Sequence, residues 1–484
     1  MIIDLGKRDL ITIEDLSNRE IEAVFRVADQ MAENMIEQFG VCRGKVMASL
    51  FFEPSTRTRL SFETAMNRLG GSVISVTDIG NTSLAKGESI ADMARVVGRY
   101  ADIIVIRHPW EGAAKVVADY AEVPVINAGD GGHQHPSQTL LDLYTLKKKW
   151  KTLKGLNVAL LGDLKYGRTV HSLVFALARF GALMNFRQSP GVEMPSYVLR
   201  KLREYGLVLR KYPNVNDSGS ESGSTPFDVI YVSPPNQARL PMETTDIDIQ
   251  IKVRRGGHDI EVMKKVDALY VTRRQKERFK VEDGSDEIDK IYPVVDKKLL
   301  QEEKYRKAIV MHPLPRVGEL AYEMDADPRS MYFKQAGFGV PVRMALLSLL
   351  LGAKSADMPE RRQLSFVEKK EFLTYEMDTG VRCQNEKCVS VQETEKRYIK
   401  PKFEIVSTTP LTLRCTYCEQ ETPPEYLPSL YIASSKWHQG LVENKRYYKA
   451  DSFMLGRIRP ENLIIFGSGE DARRQGFKLG KRAV

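Results

Sequence analysis

Apolar positions in residues 13–35 recur at helical spacing behind an Asp/Ser start and predict an amphipathic helix. The pattern then changes. KVMASLFF (45–52), ADIIVIRH (101–108) and VPVINAG (123–129) are short apolar runs that predict buried strands, with helix-period segments between them. Strands alternating with helices predict a parallel α/β sheet. A second unit of this kind opens with LNVALLGD (156–163) and the helical TVHSLVFALARFG (169–181), and strand patterns resume with DALYVTR (267–273) and AIVMHPLP (308–315). A strong helix, VPVRMALLSLLLGA (340–353), closes this part. KSADMPERRQ reads as a linker, and a smaller β-patterned region follows it. Between the strands of the second unit, residues 211–257 carry the Ser/Gly-rich run VNDSGSESGST and read as a mobile insertion. No internal repeat is visible.

The chain has 484 residues, 42% apolar and 28% charged, a globular balance of about three domains. No apolar run approaches the roughly 20 residues that span a bilayer. The N-terminus, MIIDLGKRDL, lacks the apolar core of a signal peptide, so the expected compartment is the cytoplasm. Net charge is +9, and residues 426–484 alone hold 11 Lys+Arg against 5 Asp+Glu, or +6. Such a basic extension reads first as a solvated face and second as an anion or nucleic-acid contact. The balance elsewhere predicts no large nucleic-acid surface.

The most informative chemistry lies in FFEPSTRTRLSFETAMNRLGG (51–71). FF ends a strand, and Phe62, Ala65, Met66 and Leu69 keep a helical period, so Pro54, Ser55 and Thr56 fall at a helix start. Arg57 and Arg59 in the first turns oppose the helix dipole, and a bound anion would remove that conflict. Free N–H groups, two hydroxyls and a guanidinium suit phosphate. The residues alone leave two readings open: a phosphate cradle, or an ordinary capped helix with arginines in solvent. In GDGGHQHPSQTLLDLYTL (129–146), Pro136 suits the first helical position and His135 the N-cap, where the positive helix end favours a neutral imidazole. A neutral His135 can donate to a carbonyl oxygen, and Gln138, one turn in, can reach the same space. A purely structural capping histidine is the competing reading.

Arg107 ends one strand, Arg168 follows a second, and Arg273 and Gln275 follow a third. Ligands of open parallel sheets bind at strand C-termini, so three such arginines predict a highly anionic ligand set. HPLPR (312–316) brackets Leu314 with two prolines and predicts a rigid turn, with a cis bond as one option. LLGDLKYGR lacks the GxGxxG turn of a dinucleotide site.

Five cysteines are too few for a disulfide scaffold of this size. Cys42 stands alone, whereas Cys383-x4-Cys388 and Cys415-x2-Cys418 form two knuckles separated by 26 residues. Four thiolates at this spacing suit one structural, tetrahedral Zn2+ per chain. Disulfide pairing and a zinc ribbon that binds nucleic acid are the alternatives.

Taken together, FFEPSTRTRLSFETAMNRLGG, NTSLAKGES, RHPWEGAA, NAGDGGHQHPSQTLLDLYT, GDLKYGRTVHSL, YVTRRQKERF, HPLPR and GFGVPVRMALL resemble the catalytic chain of aspartate carbamoyltransferases, in the family's order across about residues 1–352. The resemblance implies two doubly wound parallel-sheet domains with the active site between them. It implies transfer of the carbamoyl group of carbamoyl phosphate to L-aspartate, a step of pyrimidine synthesis, with no catalytic cofactor. It also implies a homo-oligomer, a trimer or dimer of trimers, with sites shared between subunits. By residue, it implies that Ser55, Thr56, Arg57 and Thr58 bind phosphate. Arg107, His135 and Gln138 would hold the carbamoyl group, with Thr58 near its oxygen. Arg168, Arg273 and Gln275 would grip the aspartate carboxylates. Ser83 and Lys86 would come from the neighbouring subunit's loop, which is one residue shorter here than NTSLGKKGE-type loops. Leu314 would offer a backbone contact to the amine. Ornithine carbamoyltransferases typically carry Cys at the position of His312 and an SMG motif that is absent here, and paired arginines suit a dicarboxylate.

VRCQNEKCVS and LRCTYCEQE in turn resemble the zinc domain of the aspartate carbamoyltransferase regulatory chain. Residues 355–382 are too few for the nucleotide-binding domain that precedes it in that family. The expected domains are 1–150 with helix 338–352 (carbamoyl phosphate), 151–337 with the insertion at 211–257 (aspartate), 355–425 (linker and zinc) and 426–484 (basic extension). A non-catalytic scaffold on the same fold is the remaining alternative, and the intact Arg57, Arg107, His135, Arg168 and Arg273 argue against it.

Overall fold

The computed structural model describes residues 2–78, 80, 82–165, 167–188, 192–205, 210–211, 228–233, 252–255, 258–261, 266–273, 294–359, 371–436 and 445–480. Its first helix, α1 (Asn18–Glu33), starts where Ser17 accepts from the Glu20 amide and the Glu20 carboxylate accepts from Ser17, a capping box. That cap splits the expected helix, and Ile13–Asp15 becomes a separate 3-10 turn. Ile21, Val24, Phe25, Ala28 and Met31 form the buried stripe.

The first sheet contains β1 (Val46–Phe51), β2 (Ser72–Val76), β3 (Ile103–His108) and β4 (Val125–Asp130). All pairs are parallel, in the order β2-β1-β3-β4. Helices α2 (Thr56–Arg68), α3 (Ile90–Gly98), α4 (Ala113–Tyr120) and α5 (Pro136–Trp150) connect or follow these strands. The order reverses between β1 and β3, and a crevice opens at their C-terminal ends.

The second sheet contains β5 (Asn157–Gly162), β6 (Leu183–Gln188), β7 (Arg210–Lys211), β8 (Val229–Ser233), β9 (Ala268–Val271) and β10 (Ile309–Met311). It is parallel throughout, in the order β10-β9-β8-β5-β6-β7. Helices α6 (Arg168–Arg179) and α7 (Ser196–Glu204) follow β5 and β6. Here the structure corrects the sequence reading. Residues 211–257 are not wholly an insertion, because they contain β8, buried at every position in the middle of the sheet. VIYV has no alternation because both of its faces are covered, so the period-2 signal is missing. The Ser/Gly-rich run lies outside the described residues. The backbone of Lys252–Arg255 pairs antiparallel with His258–Glu261.

Helix α8 (Tyr332–Leu350) starts earlier than its sequence pattern and carries Pro341 inside it. It packs against α1, α2 and α5. From Pro341 onward every position of the helix is buried, and this packing carries the helix through the local breaker signal. No helix among the described residues is long and apolar enough to cross a membrane.

Beyond α8, β11 (Leu373–Tyr375), β12 (Phe403–Thr408) and β13 (Leu411–Cys415) form an antiparallel sheet. Phe403 and Leu413 of this sheet, with Val389 and Ile432 of the flanking segments, belong to one core with Leu50, Ile104 and Ile106 of the first sheet and Val116 of α4. The basic extension also folds. β14 (Tyr431–Ser434), β15 (Arg446–Lys449), β16 (Leu463–Phe466) and β17 (Lys478–Leu479) form a four-stranded sheet in the order β16-β14-β15-β17. Tyr375 joins the two sheets by donating to the Ile465 carbonyl at 2.6 Å and accepting from its amide at 2.9 Å. Arg457, Arg459, Arg473, Arg474 and Lys478 stand exposed.

Candidate functional site

The crevice at the switch point of the first sheet holds the sequence-predicted anion residues. Ser55 is the N-cap of α2, and its side chain makes no capping hydrogen bond. Thr56, Arg57 and Thr58 form the first turn, with Thr58 buried. On the adjacent strand end, Arg107 is buried, pairs with Glu53 at 3.1 Å and donates to the Ala128 carbonyl at 3.2 Å. Glu53 thus braces the guanidinium from the loop that leads to α2.

Gly129 explains how Arg107 and His135 come together. Its φ is +119°, and a Cβ there would sit 2.9 Å from Arg107 Nη1 and 3.5 Å from His135 Cδ2. Only glycine lets both side chains share this space. His135 is the N-cap of α5 with Pro136 behind it, as the spacing predicts. Its amide donates to Ser172 Oγ at 3.2 Å, and its Nδ1 lies 3.4 Å from Ser137 Oγ. Gln138 is buried and donates through Nε2 to Asp142 Oδ1 at 2.9 Å.

The second sheet faces this crevice. Gly162 ends β5 with φ +86°, and a Cβ there would lie 1.9 Å from the Ser233 carbonyl oxygen. The chain therefore turns closely past β8 before α6 starts at Arg168. The Arg168 side chain and all of Gln275 lie outside the described residues. Arg273 follows β9 and is half-buried. Arg57 lies within its electrostatic reach. Partial burial and then the Arg273 charge lower the Arg57 pKa, so the two domains bring like charges together.

The HPLPR turn completes the wall. The Leu314–Pro315 bond is cis, and Leu314 has φ +55°. Leu314 N donates to His312 Nδ1 at 2.8 Å, which leaves His312 Nε2 to donate to Glu319 Oε1 at 2.8 Å. Burial lowers the His312 pKa, Glu319 opposes this, and Arg57 and Arg316 reinforce it. Ser83 and Lys86 lie on an exposed 3-10 turn of this chain.

Several supporting residues carried no sequence signal. Asp142 Oδ1 accepts from Gln138 and from Gln335, each at 2.9 Å, and Oδ2 accepts from Tyr270 at 2.8 Å. Gln335 Oε1 in turn accepts from His312 N at 3.0 Å. One buried carboxyl thereby connects α5, β9, α8 and the HPLPR turn. Tyr270 and Gln335 are distant from it in sequence and follow no period, so spacing rules could not find them; only Gln138, four residues before it on α5, keeps a helical spacing.

The four C-terminal cysteines converge. Cys383 and Cys418 sulfurs are 3.5 Å apart, Cys388 and Cys415 sulfurs 3.8 Å, and all four lie buried within 4.8 Å of one another. A disulfide needs about 2.05 Å. Metal–sulfur bonds of about 2.3 Å in a tetrahedron put sulfurs about 3.8 Å apart. The donor set therefore fits a closed, structural metal site. The segment around it docks on both α/β domains. Glu111 receives Asn385 Nδ2 at 2.6 Å, and Arg200 on α7 pairs with Glu421 at 2.9 Å.

Two facing parallel sheets, an arginine–histidine crevice at the switch point and the STRTR helix start define a two-domain carbamoyltransferase. Family models give the same answer. Residues 8–148 match the aspartate/ornithine carbamoyltransferase carbamoyl-P binding domain and residues 225–350 the Asp/Orn binding domain. Residues 376–425 match the metal binding domain of the aspartate carbamoyltransferase regulatory chain. The chain is 45% identical over 352 residues to the aspartate carbamoyltransferase catalytic subunit of Thermococcus gammatolerans, covering 72% of this chain and 99% of that protein. It is 43% identical over 348 residues to that of Methanothermobacter thermautotrophicus, covering 72% and 96%. Among solved structures, the catalytic subunit of M. jannaschii aspartate transcarbamoylase matches at 40% identity and a TM-score of 0.55, covering 71% of this chain and 98% of that one. Aspartate transcarbamoylase from Trypanosoma cruzi in complex with N-(phosphonacetyl)-L-aspartic acid matches at 32% and 0.55, covering 72% and 97%. The chain belongs to the aspartate carbamoyltransferase family, and it carries catalytic-chain domains and a regulatory-chain metal domain in one polypeptide.

Proposed function

We propose that the protein transfers the carbamoyl group of carbamoyl phosphate to L-aspartate, giving N-carbamoyl-L-aspartate and phosphate for pyrimidine synthesis. The observation that carries this reading is the arginine–histidine crevice around Gly129, set opposite Arg273 across the two sheets.

In this reading the Ser55–Thr58 helix start and Arg57 bind the phosphate. Arg107, His135 and Thr58 donate to the carbamoyl oxygen, and Gln138 orients the carbamoyl amide. Arg168, Arg273 and Gln275 grip the aspartate carboxylates, Lys86 and Ser83 arrive from a neighbouring subunit, and the Leu314 backbone receives the amine. The amine attacks the carbonyl carbon and a tetrahedral oxyanion forms under the donors. The C–O bond to phosphate then breaks, and the amine proton passes to the departing phosphate. Catalysis is orientation plus charge stabilisation.

The domain limits are taken from the sequence reading, with β8 a strand of the aspartate-binding sheet rather than part of the insertion. The bound ion is Zn2+, one per chain, with a structural role. The assembly is a homotrimer or dimer of trimers in the cytoplasm. The test is carbamoyl-aspartate formation with an ornithine control. Turnover with aspartate alone supports the reading. Carbamoyl-ornithine as the product overturns the acceptor, and no turnover in folded, metal-loaded protein overturns the reaction.

A further inference from the structure

Glu419 sits beside Cys418 in the metal knuckle but points away from the sulfurs, toward the seam between the two α/β domains. It is held there by three groups. His133 Nε2 lies 3.2 Å from Oε2, Gln134 Nε2 donates to Oε2 at 3.3 Å, and Lys201 Nζ of α7 donates to Oε1. Glu14 shares Lys201 at 2.7 Å, and Asp130 holds the other face of His133 at 2.9 Å. The carboxylate thus faces two cations and one amide, with the acids Glu14 and Asp130 behind the cations.

The amide of Gln134 carries the contact onward. Its Oε1 accepts from Ser172 Oγ at 2.6 Å. Ser172 Oγ in turn accepts from the His135 amide at 3.2 Å. Each bond has one allowed direction. The Gln134 nitrogen can only donate and faces Glu419, so the amide oxygen turns toward Ser172. The hydroxyl proton then goes to Gln134, and a lone pair remains for His135. Ser172 lies four residues after Arg168 on α6, hence on the same face of that helix. His135 starts α5. The relay therefore ties the N-cap of one site helix to the first turns of the other.

We propose that Glu419 is a positioning residue for carbamoyl transfer, acting through Gln134 and Ser172 to set His135 and the start of α6. This rests on the carbamoyltransferase reading above. It makes the metal segment a supporting part of the active site as well as a cover for the first sheet. Misplacement of a reacting group by about 1 Å lowers rate by up to a hundredfold.

The experiment compares full-length wild type with Glu419→Ala, Glu419→Gln, Ser172→Ala and the Glu419→Ala/Ser172→Ala double variant. The readouts are metal content, melting temperature, kcat, and KM for each substrate. Glu419→Ala and Ser172→Ala are each expected to lower kcat about tenfold or more with one metal per chain retained. The double variant is expected to fall no further than the worse single one, as for two links of one relay. Glu419→Gln, which can still accept from Gln134, is expected to lose melting temperature through its broken ion pairs yet recover most of kcat. Unchanged kcat in either folded, metal-loaded single variant overturns the proposal, as does a multiplicative loss in the double variant. Should Glu419→Ala fail to fold, Ser172→Ala decides, because the serine is uncharged and reaches Glu419 through Gln134. Wild-type turnover, measured in parallel, separates failure of this proposal from failure of the functional reading.

Discussion

The Tyr270 hydroxyl donates to Asp142 Oδ2 at 2.8 Å, joining strand β9 of the second sheet to helix α5 of the first domain. Asp142 is fully buried, and burial raises its pKa from about 3.8 to about 7 against the pull of Tyr270, Gln335, Gln138 and Arg343. A carboxyl whose folded pKa exceeds its unfolded value stabilises the fold fully only below the unfolded value. That contribution is lost as pH rises from about 4 through about 7. Asp142→Asn keeps the shape, and Tyr270 can turn to accept from the new amide. The wild-type melting temperature is expected to fall relative to the variant across this window, by on the order of 4 kcal/mol of stability at most. Parallel melts from pH 4 to 8 check it, and a constant difference would exclude Asp142 as the titrating group.

Gly129→Ala tests the shared space between Arg107 and His135. The new Cβ would lie 2.9 Å from Arg107 Nη1 at φ +119°. Backbone strain there is about 1–3 kcal/mol. Activity is expected to fall by at least tenfold in protein that still folds, with Arg107 displaced from the Ala128 carbonyl. Steady-state kinetics beside circular dichroism would show whether chemistry fails before fold.

His135→Ala removes a donor aimed at the developing oxyanion. The expected loss is about 10²–10³ in kcat, with a smaller change in KM for aspartate. Arg273→Ala is expected to show the opposite split, with KM for aspartate raised most. Similar splits in both variants would count against the assignment of the two domains to two substrates.

Cys415→Ser takes one sulfur from the buried tetrad. Because the metal segment shares its core with Leu50, Ile104 and Val116, loss of metal is expected to lower the melting temperature of the first domain along with the segment itself. Calorimetry of metal-loaded and variant protein checks this. A first-domain transition that does not move would mean the two fold independently.

Much of the site was legible in the chain. The Ser55–Thr58 start, Pro136 behind His135, and the strand-end arginines 107, 168 and 273 follow from local rules of period and capping, and all fall at the element ends those rules name. Other positions escaped. β8 was hidden inside a Ser/Gly-rich stretch because a strand covered on both faces has no alternation. The early start of α8 was hidden by Gly337, Gly339 and Pro341, poor helix formers that nevertheless lie inside it.

The sequence by itself determined the alternation of strands and helices, the caps at which helices begin, and the two cysteine knuckles. Each depends on residues a few positions apart, whose geometry the backbone imposes directly. Only the tertiary structure decided which distant groups meet: Arg57 with Arg273, Asp142 with Tyr270, and Glu419 with Gln134, the last pair 285 residues apart. Such pairs leave no period in the chain, because packing two sheets and a metal segment around one crevice selects them through burial and charge.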